Sequence, residues 1–106
     1  MTATPQFVTE AGGRVPVAAS SDLVVVGGGP AGTAAALAGA RNGLSVTLLE
    51  RYPYLGGLAS GGMVLVLDDM HNGEEITVTG LCMEMIERMA QVGACVYPPP
   101  EERGQS

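Results

Sequence analysis

The 106 residues are 46% hydrophobic and only 15% charged, with 16 Gly, 7 Pro, no Trp and a formal charge of −6. Apolar residues in blocks and a low charged fraction exclude a disordered acidic chain and suit one small globular unit with a thin core. The five basic residues, Arg14, Arg41, Arg51, Arg88 and Arg103, are scattered among eleven carboxylates, a balance that repels phosphate backbones and anionic lipid, so neither nucleic acid nor membrane is an expected partner.

Residues 1–13 show no helical or strand period and predict a flexible leader. They also lack the basic start and continuous apolar stretch of a secretory signal, and no window reaches the ~18 apolar residues of a membrane span, so the expected location is cytoplasmic. Arg14-Val15-Pro16-Val17 reads as extended, because proline biases the residue before it away from helix. Leu23-Val24-Val25-Val26, following Asp22 and stopped by Gly27-Gly28-Gly29, predicts a short parallel strand buried on both faces. Pro30 suits a first helical position, and the Ala-rich run to Arg41 predicts a helix that Gly43 ends. Leu44–Leu49 reads as a second strand, stopped by Glu50, Arg51 and Pro53. Strand, helix and strand within about thirty residues make a βαβ unit.

A Gly-rich passage, Gly56 to Gly62, leads to Met63–Leu67, an apolar run that is either a strand or the start of a helix. Asp68 to Glu75 reads as a solvated acidic loop in which Asn72-Gly73 supplies the reversal; it lacks the ligand order of a calcium loop. His71, the only histidine, is a remote candidate for acid–base work there. From about Leu81 a helix is expected, with Leu81, Met85, Met89 and Val92 on the buried face, Glu84, Glu87, Arg88 and Gln91 outside, and Gly93 as its stop. Residues 97–106 predict an extended or disordered tail. Cys82 and Cys95 have no CxxC or histidine partner and read as ordinary thiols, and no metal site is expected.

The chemistry concentrates in the first turn. Gly27-x-Gly29-x-x-Gly32 falls between predicted strand and predicted helix, where the first glycine permits the turn, the second lets a pyrophosphate approach the backbone and the third lets the helix pack closely. Unpaired N–H groups at the helix start then hold phosphate without cations. Glu50, eighteen residues past Gly32 at the end of the second strand, stands where an acid binds ribose hydroxyls. Together these features specify an adenine dinucleotide. Tyr52 and Tyr54, flanking Pro53, are candidates to cover the adenine.

The run DLVVVGGGPAGTAAALAGARNGLSVTLLERYPYLGGLASGG resembles the amino-terminal segment of FAD-dependent oxidoreductases, in the broad group of fumarate reductase-like and related flavin dehydrogenases. In that group the strand-end acid is followed by a basic residue, a short loop, a Gly-Gly element and a second small, Gly-rich stretch, here Glu50, Arg51, Gly56-Gly57 and Ala59 to Gly62. The resemblance implies FAD as cofactor. It implies that Gly27, Gly29, Pro30, Ala31 and Gly32 line the pyrophosphate and that Glu50 and Arg51 hold the adenosine end. Gly57, Leu58, Ala59, Ser60 and Gly62 then run toward the flavin ring.

The resemblance covers about residues 14–96, giving an expected organisation of a leader (1–13), a partial FAD-binding Rossmann-like α/β domain (14–96) of one parallel βαβ unit with one further helix, and a tail (97–106). Such enzymes continue for several hundred residues, so activity is expected to need further chain or a second subunit in a heteromeric complex. No catalytic residue is assigned. Two other readings are a nicotinamide-binding segment, which the Gly triplet and Glu50 serve equally well but which does not need the second Gly-rich passage, and a non-catalytic interaction subunit or remnant.

Overall fold

The computed structural model describes residues 4–67, 70–72 and 75–102. Asp68, Asp69, Gly73 and Glu74 of the acidic loop, and residues 1–3 and 103–106 at the ends, lie outside the described residues. The chain divides into two units, Met1–Met63 and Val64–Ser106.

In the first unit, strands β1 (Phe7–Glu10) and β2 (Gly13–Pro16) form an antiparallel hairpin pairing Phe7 with Pro16 and Glu10 with Gly13. The residues read as a leader without strand period thus contain a strand. A two-residue turn at Ala11-Gly12 joins the pair, with Gly13 at φ +134°, and the Arg14 guanidinium sits 4.4 Å over the Phe7 ring. Every residue of both strands is exposed, so no burial pattern marked the strand in the sequence.

Strands β3 (Leu23–Val26) and β4 (Val46–Leu49) pair in parallel, Leu23 opposite Val46 and Val26 opposite Leu49, and helix α1 (Pro30–Arg41) makes the crossover. This is the expected α/β unit. Pro30 stands in the first turn, and after Arg41 the chain turns through Gly43 at φ +83° while Leu44 N donates to Gly39 O at 3.2 Å. Gly39 is a point of close approach: a Cβ there would come within 2.6 Å of Leu23 Cδ2 and 3.3 Å of Val46 Cγ2. The small residues of α1 therefore let its axis lie close to the strands.

Burial of β3 on both faces is corrected. Leu23 and Val25 are half-buried, whereas Val24 is 53% and Val26 81% exposed. One helix can cover only one face of a two-stranded sheet, and the alternating side chains on the other face have no cover among the described residues. At the start of the pair, Asp22 and Ser45 are tied three times: Asp22 Oδ2 accepts from Ser45 N (2.9 Å) and Ser45 Oγ (2.7 Å), and Asp22 N reaches Ser45 Oγ (2.9 Å). After β4, α2 (Leu58–Gly61) is a single turn.

In the second unit, Val64–Leu67 is neither strand nor helix and all four residues are exposed, Leu65 at 95%. His71, half-buried, forms an isolated antiparallel bridge with Ile76, and Asn72 N and Oδ1 bond Glu75 O and N at 3.0 and 2.8 Å. Helix α3 (Leu81–Gln91) follows Gly80, and Gly93 at φ +72° ends it. Its buried face is not the expected one. Ile86 is buried, with Cys82, Met83 and Ala90 half-buried, while of the four residues expected inside only Leu81 is half-buried and Met85, Met89 and Val92 are exposed. The segment after Gly93 returns over that side: Cys95 Sγ lies 3.4 Å from Ile86 O, and Tyr97 Oη 4.0 Å from Met83 Sδ. A helix face is chosen by what packs on it, and the apolar residues of α3 are spread widely enough to permit either choice. In the region read as an extended or disordered tail, Pro100–Glu102 forms a 3₁₀ turn.

Candidate functional site

The site is built where β3 and β4 end side by side. Gly27 N donates to Leu49 O at 2.8 Å, carrying the parallel ladder one step past the strands. There the backbone turns at φ +101°, a conformation a residue without Cβ takes at little cost. Gly32 sits against this turn, since a Cβ on it would collide with the Gly27 carbonyl and meet Val25 Cγ1 at 3.4 Å. Gly29, the residue before α1, has ordinary extended angles (φ −69°, ψ −174°) and nothing within 4 Å of where a Cβ would be. Neither its backbone nor its protein neighbours require glycine.

α1 begins without a side-chain cap and without an acid in its first turn. Pro30 has no N–H, so Ala31 and Gly32 present the leading amides, and Thr33 N is taken by Gly29 O at 2.9 Å. An acid stands beside this turn, Glu50. Its Oε2 accepts Gly28 N at 2.6 Å and its Oε1 accepts Tyr52 N at 3.0 Å. These bonds, Tyr52 first and Gly28 second, hold the carboxyl below its ordinary value, aided by the backbone and charge of Arg51. A carboxylate has about four lone-pair positions, so acceptor capacity remains for a hydroxyl donor.

Gly28 is the junction of the site and was not among the expected residues. It is buried, and a Cβ on it would press on Leu55 Cδ2 at 2.6 Å and Glu50 Oε2 at 3.0 Å. Its carbonyl accepts Gly56 N at 2.8 Å and Thr33 Oγ1 at 3.1 Å. The first and second Gly-rich passages are thereby joined through backbone, and Gly57, at φ +55°, packs with its Cβ position 3.2 Å from Gly29 Cα and 3.6 Å from Pro30 Cδ. The signal for Gly28 was a third glycine in GGG where the spacing rule needs only the outer two.

An open cleft of about 310 Å³ at these strand ends is lined by Val26, Gly27, Leu49, Glu50, Arg51, Tyr52 and Gly57. Of the expected residues it gathers Gly27, Glu50, Arg51 and Gly57, with Gly29, Pro30 and Gly32 adjoining through the packing described. Ala31 lies in the exposed first turn of α1. Leu58, Ala59, Ser60 and Gly62 do not line the cleft. Leu58 is 82% exposed, the Ser60 hydroxyl is turned back onto Leu55 O, and Gly62 packs on the Leu58 carbonyl as the end of α2. Arg51 points along the surface, its Nη2 donating to Tyr52 Oη at 2.8 Å and its guanidinium 4.7 Å over that ring, and Tyr54 stacks on Tyr52 at 5.5 Å between centroids.

Residues 22–106 match the family described as FAD dependent oxidoreductase. Among curated proteins the chain is 38% identical over 90 residues to a tRNA uridine 5-carboxymethylaminomethyl modification enzyme of Protochlamydia amoebophila, covering 74% of this chain and 14% of that protein. It is 42% identical over 59 residues to the fumarate reductase (cytochrome) of Shewanella frigidimarina, covering 53% and 10%. It is 44% identical over 55 residues to the NADH:acrylate oxidoreductase of Vibrio harveyi, covering 50% and 6%. The chain thus matches only a small part of each relative's length. No solved structure matches it.

Proposed function

This chain belongs to the FAD-dependent oxidoreductase family and carries the FAD-binding region of it, and from that premise we propose that it binds the ADP half of FAD at the strand-end cleft. The observation that carries the reading is the Glu50 carboxylate, fixed by two backbone N–H groups, one from each side, with acceptor capacity to spare. In this reading the 2′ and 3′ hydroxyls of the adenosine ribose donate to Glu50. The pyrophosphate lies over Gly29, where a Cβ would meet no protein atom, and takes the leading amides of Ala31 and Gly32. Phosphate is thus held by backbone and helix dipole rather than by cations, which suits a chain with five arginines.

The second Gly-rich passage supports FAD over a nicotinamide dinucleotide. Gly56 and Gly57 are bonded and packed onto Gly28, Gly29 and Pro30, extending the phosphate-binding surface beyond what the Gly27–Gly32 turn alone provides. Leu58, Ala59, Ser60 and Gly62 continue from it toward the flavin end. When bound, FAD supplies hydride or electron transfer at its isoalloxazine ring, and this chain's residues bind and orient it. The oxidoreductase activity, its substrate and the residues that act on substrate belong to polypeptide beyond these residues, in the same protein or in a second chain, which also covers Val24 and Val26. The test is a visible absorption spectrum of the purified protein with the released cofactor identified by mass. A flavin spectrum with FAD released is the expected result, and NADH affinity without flavin would overturn it.

A further inference from the structure

Thr33, half-buried in the first turn of α1, makes two bonds to the Gly-rich turn that the glycine spacing does not call for. Its hydroxyl donates to Gly28 O at 3.1 Å and its N–H to Gly29 O at 2.9 Å, so two successive carbonyls are drawn onto one residue. Gly28 O also accepts Gly56 N at 2.8 Å. The Gly28–Gly29 peptide is planar and trans, so anchoring its carbonyl on one edge sets its N–H on the opposite edge. Gly29 N–H is therefore directed away from the Thr33 hydroxyl and from Gly56 N. Among the described residues no acceptor takes it, and the space where a Cβ of Gly29 would stand is open. The neighbouring amides give this one its weight. Gly28 N–H is already held by Glu50 Oε2 at 2.6 Å, and Pro30 has no N–H to offer. Between the acid-bound amide and Ala31, Gly29 alone has a donor to give.

We propose that Thr33 is a positioning residue for the pyrophosphate: its hydroxyl, together with Gly56 N, locks the Gly28–Gly29 peptide so that Gly29 N–H is a preset phosphate donor. This rests on the ADP-binding reading of the same site. A peptide between two glycines that is free to turn presents either its N–H, which attracts phosphate, or its carbonyl, which repels it. Holding the carbonyl from behind removes the second choice before the ligand arrives, so no ordering cost is left to binding. Gly56 donates through backbone, which side-chain replacement leaves in place, whereas the Thr33 hydroxyl is removed by valine, a side chain of nearly the same shape. Thr33 is thus the point at which the lock can be opened while the second bond from its own N–H to Gly29 O stays.

The experiment titrates ADP, and separately adenosine, into the full ¹⁵N-labelled chain and follows assigned amide resonances. In the unsubstituted chain ADP is expected to move the Gly29 amide proton downfield, as a charge-assisted bond to phosphate requires, and adenosine is expected to leave it in place. Thr33→Val weakens ADP about tenfold and leaves adenosine within about twofold, while Thr33→Ser, which keeps the donor, stays within about twofold for both. A purely structural role for Thr33 would weaken the two ligands alike, and that result overturns the proposal. ADP affinity in Thr33→Val equal to the parent's overturns it as well. ADP binding with the Gly29 amide unmoved overturns it with no variant needed, and leaves the ribose reading intact. No ADP binding by the unsubstituted chain overturns both the proposal and the reading on which it rests.

Discussion

Glu50 Oε2 accepts the backbone N–H of Gly28 at 2.6 Å, so the acid that ends β4 holds the turn that ends β3. The same carboxylate takes Tyr52 N on its other oxygen. One side chain therefore shapes the Gly-rich turn and, in the proposed reading, also offers acceptors to a ribose. Glu50→Ala is expected to weaken FAD about 10- to 100-fold, measured by fluorescence titration, because charge-assisted hydrogen bonds are lost and the turn loosens. Glu50→Gln keeps the shape and part of the bonding, and its loss is expected to be smaller. Equal dissociation constants for Glu50→Ala and the parent would remove this residue from the site.

The three glycines of the spacing rule separate by mechanism. Gly32→Ala drives a Cβ into the Gly27 carbonyl, a backbone atom that cannot yield without moving the turn. We expect a destabilisation of about 1 to 3 kcal/mol in chemical denaturation. A Cβ at Gly29 meets no protein atom within 4 Å, so for Gly29→Val circular dichroism and the unfolding midpoint are expected to stay near the parent while FAD binding is lost. Loss of fold in Gly29→Val, or retained flavin, would contradict the assignment of that position to ligand approach.

The βαβ unit was legible because its signals are local: Leu23–Val26 is short and β-branched, Pro30 opens α1, and Gly43 closes it. The spacing of Gly27, Gly29, Gly32 and Glu50 likewise placed the acid beside the Gly-rich turn, since parallel strand ends bring positions about twenty residues apart together. What was not legible depends on contacts absent from the linear pattern. β1 hides because both hairpin faces are exposed, and the buried side of α3 turns on where Cys95 and Tyr97 return. Gly28 and Gly56 fall at positions where the spacing rule is silent, yet their mutual bond joins the two Gly-rich passages.

Acid should weaken the fold through two carboxylates. Asp22 is held below its ordinary value first by the backbone N–H of Ser45 and then by its hydroxyl, and Glu50 by the N–H groups of Tyr52 and Gly28. A carboxyl depressed in the folded state contributes stability that is complete above its unfolded value, near pH 4 to 4.5, and is lost as pH falls through the lower folded value. Urea midpoints are expected to be level with respect to these groups above about pH 5 and to fall below it. Asp22→Asn and Glu50→Gln should each flatten that fall, and an unchanged slope in the double variant would show that the acid sensitivity arises elsewhere.

Helix α3 offers a test of which face is inside. Ile86 is 8% exposed and is the one buried hydrophobic side chain among the described residues, whereas Met85, its neighbour on the face expected to be buried, is 50% exposed. Removing the Ile86 side chain beyond Cβ takes away transfer energy and leaves a gap beneath the returning Cys95 segment. Ile86→Ala is therefore expected to cost about 2 to 4 kcal/mol in denaturant unfolding, reduced toward the lower figure where so small a core can collapse into the space. Met85→Ala removes a half-exposed chain and is expected to stay within about 0.5 kcal/mol. The opposite order would mean that Met85 and Met89 are the covered side in solution, and that the packing of Cys95 against the Ile86 carbonyl is not what holds this unit together.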